Sequence, residues 1–486
     1  MTITEFAALF PQGTLHSSSD SELTSLAYDS RKVEKGAAFF CFPGTRTEGS
    51  LFIGEAIKKG ARLIITGKEP ENFSKGVSYY ITDRSIRPLY AAAAAAFYGY
   101  PAKQMIMIGI TGTDGKSSTA DFTYQLLNAL GIKTGLISTV SVDDGTGKQR
   151  NHTHQSTPEA GETEKILFAA LANGCRAFVL EATSHALSAS LDRLASIEFD
   201  YSVYTMISSE HLEFHKTYDE YIKAKCALAE RTKNKVFVYD TNKEYERIKE
   251  AAEKRLVTLT RPEILSQSID RIDFIKDGQA YFLPFGQAYN LENAYSAASV
   301  AAAVTDSPLT EVLPLLSSLR SVPGRFSRIE NNRGINIIID FAHTPKAYES
   351  ILSECRKLNP QSRFITLFGS SGRRDSSKRP EMGRTAAEFS SVLVITEDDP
   401  RGESLEATFR ELTSAIPEER LSQIKIIRED DRKKAIMRAI REAERGDFIF
   451  LLGIGPQEGI DLGTRTKTWD EEKAVRETLA EIGDGK

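Results

Sequence analysis

Short, unbroken apolar runs recur along this chain, each followed by a helical stretch. Three lie in the first hundred residues: "AAFFCF" (37–42), "ARLIIT" (61–66) and "VSYYIT" (77–82). Four follow in the middle: "MIMIGIT" (105–111), "TGLIST" (134–139), "AFVLEA" (177–182) and "YSVYTM" (201–206). The last third holds "INIIIDF", "FITLFG", "VLVITE", "IKIIRE" and "FIFLLGIG". A strand that is apolar at every position has no face to show to water. Continuous apolar strands alternating with helices therefore predict parallel sheets covered on both sides. At 486 residues the chain exceeds one ordinary core. Turn chemistry interrupts the alternation at "GYP" (99–101) and "VPGR" (322–325). These breaks divide it into 1–99, 100–323 and 324–486.

Charge and cysteine usage exclude several classes. The net charge is −5 and the pI about 6.0, with acidic and basic residues interspersed, so no basic footprint marks a nucleic-acid binder. Cys41, Cys175, Cys226 and Cys355 lie far apart, which predicts reduced thiols in a cytosolic protein. No signal peptide is legible in "MTITEFAALFPQG", and no run is long and apolar enough to span a bilayer. A cytoplasmic protein without membrane insertion is expected.

The stretch "GITGTDGKSST" carries the first chemistry. A strand runs into Gly112, Thr113, Asp114 and Gly115, then Lys116, Ser117 and Ser118 open a helix. Glycines let the backbone turn its N–H groups inward, and a helix N-terminus adds positive potential. Lys116 supplies a point charge for phosphates and Ser117 a ligand for Mg²⁺. Ile110 stands where a full phosphate-loop pattern has its first glycine. The plain alternative is a glycine-rich turn with a surface lysine.

Glu181 ends an apolar strand, and strand ends line the ligand crevice of an open parallel sheet. That position suits a Mg²⁺ ligand as well as a helix cap. His211 and His215 stand four apart, but Leu212 occupies the place where a zincin needs glutamate. Lys225 lies just beyond. A buried lysine loses its proton more readily, and a neutral amine can take up CO₂ to become a carbamate, an oxygen ligand suited to Mg²⁺.

The set "GITGTDGKSST", "EATSH", "HLEFHKTYDEYIKAK", "NLENAYSAA", "IDFAHTPKAYESIL", "SGRRDSSKRPEMG" and "TEDDPRGE" resembles the Mur ligase family along nearly the whole chain. The likeness is strongest to the branch that makes UDP-MurNAc-tripeptides. The resemblance implies an α/β fold of three domains: a UDP-MurNAc-binding N-terminal domain, a central P-loop ATPase domain built on a parallel sheet, and a C-terminal Rossmann-like domain that brings in the amino acid. Matched residue by residue, it implies phosphate contact by Lys116 and Mg²⁺ ligation by Ser117, Glu181, His211 and Lys225, the last as N6-carboxylysine. It places Asn290, Asn293, Asp340 and His343 at the ATP site. Ser30 matches a uridine-diphosphate contact, and Ser156, Thr157, Ser184 and Arg193 match positions that hold the muramyl-dipeptide.

The family pattern is altered in places. Asp114 replaces an Asn, Ser117 and Ser118 replace paired threonines, and Ser50 replaces a His. "GIGPQEG" stands for "GKGHE", so Gln457 or Glu458, beside Gly453, would hold the incoming amino group. The implied reaction uses ATP to phosphorylate the D-Glu side-chain carboxylate of UDP-MurNAc-L-Ala-D-Glu, followed by attack of a diamino acid. Arg374 and the segment Asp398 to Arg401 would select that amino acid. Asp399, where the diaminopimelate-adding pattern has Asn, favours lysine or ornithine; Arg401 pulls toward meso-diaminopimelate. A monomer is expected. The rival readings are another Mur or folylpolyglutamate-type ligase, and a non-catalytic nucleotide-binding relative.

Overall fold

The computed structural model describes residues 1–44, 48–153, 155–208 and 210–483. The chain forms two compact units, Met1–Pro262 with Glu292–Leu316, and Glu263–Leu291 with Ser317–Lys486. Every apolar run singled out in the sequence contains a strand.

The first unit holds two sheets. The smaller one runs Thr14–His16, Ser78–Ile81, Leu63–Thr66, Ala38–Phe40, Leu26–Ala27, all parallel except the first. Its side chains alternate between two cores. Ala38, Phe40, Leu63, Ile65 and Tyr80 pack on one face, and Phe39, Ile64 and Tyr79 on the other. The helix Ile86–Phe97 covers the first face and ends before Tyr100, which takes a left-handed conformation ahead of Pro101.

The larger sheet has eight strands, in the order Leu256–Leu259, Thr232–Tyr239, Phe199–Tyr204, Ile106–Thr111, Ala177–Glu181, Thr134–Ile137, Ser141–Asp143, Gln149–Arg150. All pairings are parallel except those of the last two strands. Its first strand in sequence, Ile106–Thr111, lies between Ala177–Glu181 and Phe199–Tyr204. The chain thus winds away from it in both directions, which opens a crevice at its carboxyl end.

The second unit carries a six-stranded sheet, in the order Ser327–Ile329, Asn336–Asp340, Phe448–Leu452, Phe364–Phe368, Val392–Ile395, Lys425–Arg428, parallel except for the first strand. Ile337, Ile339, Ile365, Leu367, Val394, Ile449 and Leu451 fill one core; Ile338, Phe364, Phe368, Leu393, Phe448 and Phe450 fill the opposite one. Each such side chain contributes about 1.5–3 kcal/mol when fully buried. A polar substitution in the central strands Phe364–Phe368, Val392–Ile395 and Phe448–Leu452, buried at every position, has no solvated face to turn to. No helix among the described residues is long and apolar enough to cross a membrane.

Candidate active site

The strand Ile106–Thr111 delivers the chain into the turn Gly112–Gly115, and the helix Lys116–Ala129 begins at once. Gly112 has φ 150° and its missing Cβ position is filled by the Thr205 hydroxyl. Gly115 has φ 86°, and a Cβ there would stand 2.5 Å from Asn293 Oδ1. Both glycines are therefore required by backbone conformation and by close approach. The segment after Phe199–Tyr204 clamps the turn from outside. Thr113 N donates to Met206 O (2.7 Å) and Thr205 Oγ1 donates to Asp114 O (2.6 Å). The Thr113 hydroxyl lies 2.6 Å from Tyr221 Oη and donates to Ser208 O at 3.0 Å. No side chain caps the helix at Gly115. A helix N-terminus in that state presents its first amides to an anion.

Two lysines grip the same turn. Lys116 Nζ donates to Thr113 O at 2.7 Å. Lys225, from the helix Tyr218–Glu230, donates to Gly112 O at 2.6 Å and is only 2% exposed. Burial, reinforced by the nearby Lys116 charge, holds the Lys225 amine well below the ordinary lysine pKa. Both carbonyls they meet belong to the turn, a contact that the sequence did not indicate for Lys225.

Glu181 ends the neighbouring strand opposite Ile110. Its carboxylate is fully buried. One oxygen accepts from Thr139 N and the other from Thr139 Oγ1, each at 2.9 Å. It forms no ion pair among the described residues, so its charge is met only by neutral donors. A buried carboxylate of this kind suits a cation. Ser117, buried at the helix start, adds a hydroxyl of matching oxygen chemistry. His211 adopts φ 57°, with its ring 4.7 Å from that of His185 and Nε2 3.5 Å from Glu210 Oε2. His215 is buried and pairs with Ser184 Oγ at 3.0 Å, a packing role. Among the described residues, no three His, Cys, Asp or Glu side chains come together as a metal cluster.

The residues matched to the muramyl-dipeptide gather at the Glu181 strand end. Ser156 Oγ lies 2.6 Å from Thr139 Oγ1, and Thr157 Oγ1 donates to Glu181 O at 2.6 Å. Arg193 donates to Thr157 O at 3.0 Å and pairs with Glu159 at 2.9 Å. Ser30 donates to Glu55 at 2.8 Å in the smaller sheet domain. Sequence reasoning missed Thr139, Thr205, Tyr221 and Glu159. Tyr221 lies inside the stretch "HLEFHKTYDEYIKAK" but the other three lie in no motif, and each matters through a partner distant in the chain.

In the second unit, Asp340 accepts from Phe326 N and Ala342 N, both at 2.7 Å, which fixes the start of "DFAHTP". His343 Nδ1 lies 2.8 Å from Phe341 O, and Lys378 donates to His343 O at 2.8 Å. Asn290 donates to Gln287 Oε1 at 3.2 Å, while in the first unit Asn293 accepts from Thr119 Oγ1 at 3.2 Å. Asp399 and Arg401, both left-handed, form an internal pair at 3.4 Å; Asp399 also accepts from Asp461 N at 2.8 Å. Arg379, 2% exposed, braces the adjoining loops by donating to Ser370 Oγ, Ser371 O, Glu403 and Glu411. Arg374 is exposed and makes no ion pair among the described residues. Gln457 Oε1 is buried without a hydrogen-bond donor, whereas Glu458 O accepts from Trp469 N at 2.8 Å.

Comparison with known proteins gives this arrangement a family. Residues 22–98 match the Mur ligase family, catalytic domain; 110–301 match the Mur ligase middle domain; 324–455 match the Mur ligase, glutamate ligase domain. A UDP-N-acetylmuramyl-tripeptide synthetase of Roseiflexus is 34% identical, covering 96% of each chain. One of Borreliella afzelii is 32% identical, over 95% of this chain and 94% of that one. A UDP-N-acetylmuramoyl-L-alanyl-D-glutamate–2,6-diaminopimelate ligase of Clostridium acetobutylicum is 31% identical over 95% of each. Among solved structures, another diaminopimelate ligase superposes with a TM-score of 0.62 at 22% identity, over 95% of this chain and 96% of that one, a likeness of fold. With relatives above 30% identity along nearly its full length, the chain belongs to the Mur ligase family.

Proposed function

We propose that this protein is an ATP-dependent ligase of peptidoglycan precursor synthesis that adds a diamino acid to UDP-MurNAc-L-Ala-D-Glu. A free carboxylate is a poor acyl donor, so the reaction needs it activated as an acyl phosphate before an amine attacks. The observation that carries the reading is the pairing of Lys116 and Lys225 on consecutive carbonyls of the phosphate turn. Lys116 is positioned to swing from Thr113 O onto phosphate oxygens and offset their charge. The uncapped amides of Lys116–Ala129 add to that field. Lys225, whose amine burial makes easier to deprotonate, is the residue suited to carbamate formation. Mg²⁺, when bound, would neutralise phosphate charge and let the anionic carboxylate approach.

The names of relatives include both tripeptide synthetases and diaminopimelate ligases. The choice of amino acid therefore rests on Asp399. Its pairing with Arg401 offsets the guanidinium charge that would otherwise draw a distal carboxylate. Lysine or ornithine is the favoured third residue, with meso-diaminopimelate next. The orphaned Gln457 Oε1 supports that residue, rather than Glu458, as the acceptor for the incoming ammonium. Phosphate release from ATP is to be measured with UDP-MurNAc-L-Ala-D-Glu and each of these amino acids. Turnover that depends on lysine or ornithine supports the reading. Equal or faster turnover with diaminopimelate rejects the preference, and ATP binding without ligation rejects the function.

A further inference from the structure

Among the described residues Arg432 is the largest fully buried side chain, at 0% exposure. It opens the helix Arg432–Glu442, with Asp431 as its cap. Its guanidinium donates to both oxygens of Glu471, with distances of 2.6–3.0 Å, and Trp469 Nε1 donates to the same carboxylate at 2.5 Å. The remaining donors reach backbone. One nitrogen bonds Glu397 O at 3.2 Å and another Leu452 O at 3.1 Å. Those carbonyls lie at the carboxyl ends of Val392–Ile395 and Phe448–Leu452, with Phe364–Phe368 between them in the sheet. The next residues in the chain are Asp398 and Gly453. They touch: Asp398 Oδ2 fills the space a Cβ on Gly453 would need. One buried cation thus fastens two strand ends so that a carboxylate rests on a bare backbone.

An ion pair with Glu471 alone would not need this reach to two backbone carbonyls on separate strand ends. We infer that Arg432 is a positioning residue of the amino-acid site, setting Asp398 against Gly453 and acting on the incoming amino acid only through them. This rests on the function proposed above. Burial pushes the Asp398 carboxyl up to about 6, while Arg432 and Lys378 lower it and Asp399 and Glu471 raise it. The arginine charge therefore also helps keep that carboxylate ionised.

Removing Arg432 alone strands the Glu471 charge, so the test uses Arg432→Lys and the double variant Arg432→Met/Glu471→Gln. The first keeps the charge but spans fewer acceptors; the second removes both charges and leaves Trp469 an acceptor. In full-length enzyme, both should melt as folded proteins, and the KM for the diamino acid should rise about tenfold while those for ATP and UDP-MurNAc-L-Ala-D-Glu stay within about twofold. An unchanged amino-acid KM in the folded variants, or a parallel rise of all the KM values, overturns the assignment alone. A wild-type enzyme that ligates neither lysine, ornithine nor diaminopimelate overturns the functional reading and this assignment with it.

Discussion

Lys225 Nζ stands 2.6 Å from the Gly112 carbonyl, inside the protein and near enough to Lys116 to feel its charge. An amine in that place is held against its own proton. Replacing it by alanine should lower turnover by about a hundredfold or more, because the oxygen ligand it is proposed to supply is lost. Short carboxylates added to Lys225→Ala should restore part of the rate. Lys225→Arg, which cannot form a carbamate, should stay inactive; phosphate release measures all three, and a fully active arginine variant ends the carbamate proposal.

The phosphate turn offers a sharper contrast between strain and contact. Gly115 and Gly131 both have positive φ, 86° and 79°, but only Gly115 faces a neighbour, Asn293 Oδ1. Alanine at either position should cost about 1 kcal/mol of backbone strain. Gly115→Ala should in addition displace Asn293 and raise the KM for ATP about tenfold, whereas Gly131→Ala leaves it unchanged. Thermal melts paired with nucleotide titrations separate the effects.

Asp399 shares its carboxylate between Arg401 and the Asp461 amide. Asp399→Asn keeps an oxygen for that amide and releases the Arg401 charge. The ratio of kcat/KM for meso-diaminopimelate to that for lysine should rise about tenfold, since of the two carboxylates beside the guanidinium only Asp461, at 3.7 Å, then competes with a distal carboxylate. A ratio that does not move would detach Asp399 from selection.

Glu164, on the helix Ala160–Ala172, is 1% exposed; one oxygen accepts from Ser196 Oγ at 2.8 Å and the other finds no donor. Burial pushes its carboxyl from 4.5 to about 7, against the Ser196 hydrogen bond. The folded acid therefore holds its proton where the unfolded one has lost it. Stability falls as pH rises from about 4.5 to about 7 and is level above, a span of roughly 3 kcal/mol. Glu164→Gln should remove that slope, gaining roughly 3 kcal/mol over wild type near pH 8 and almost nothing near pH 4.5. Urea melts at both pH values would show it, and parallel curves would disprove it.

Most strands were legible as short apolar runs, and the two-sided cores at Ile337/Ile338 or Phe39/Phe40 match that pattern. Some strands richer in charged or polar residues escaped notice. Thr232–Tyr239 begins "TKNK" and only its second half is buried, and the hairpin Gly459–Asp461 with Thr466–Thr468 has no apolar run at all.

By itself the sequence determined the parallel α/β architecture, the glycine-broken turn between strand and helix, and the family, since these depend on residues close together in the chain: a strand, its glycines, and the lysine that follows. Only the tertiary structure decided what those residues meet. Thr205 fills the place of a Gly112 side chain, Thr139 occupies the Glu181 carboxylate, and Arg432, at the start of its helix, bonds the carbonyls of Glu397 and Leu452. These partners stand dozens of residues apart, and no local propensity or spacing carries them. They arise because parallel strands bring their carboxyl ends to one edge, where unpaired backbone groups must find donors and acceptors from whatever loop the packing delivers.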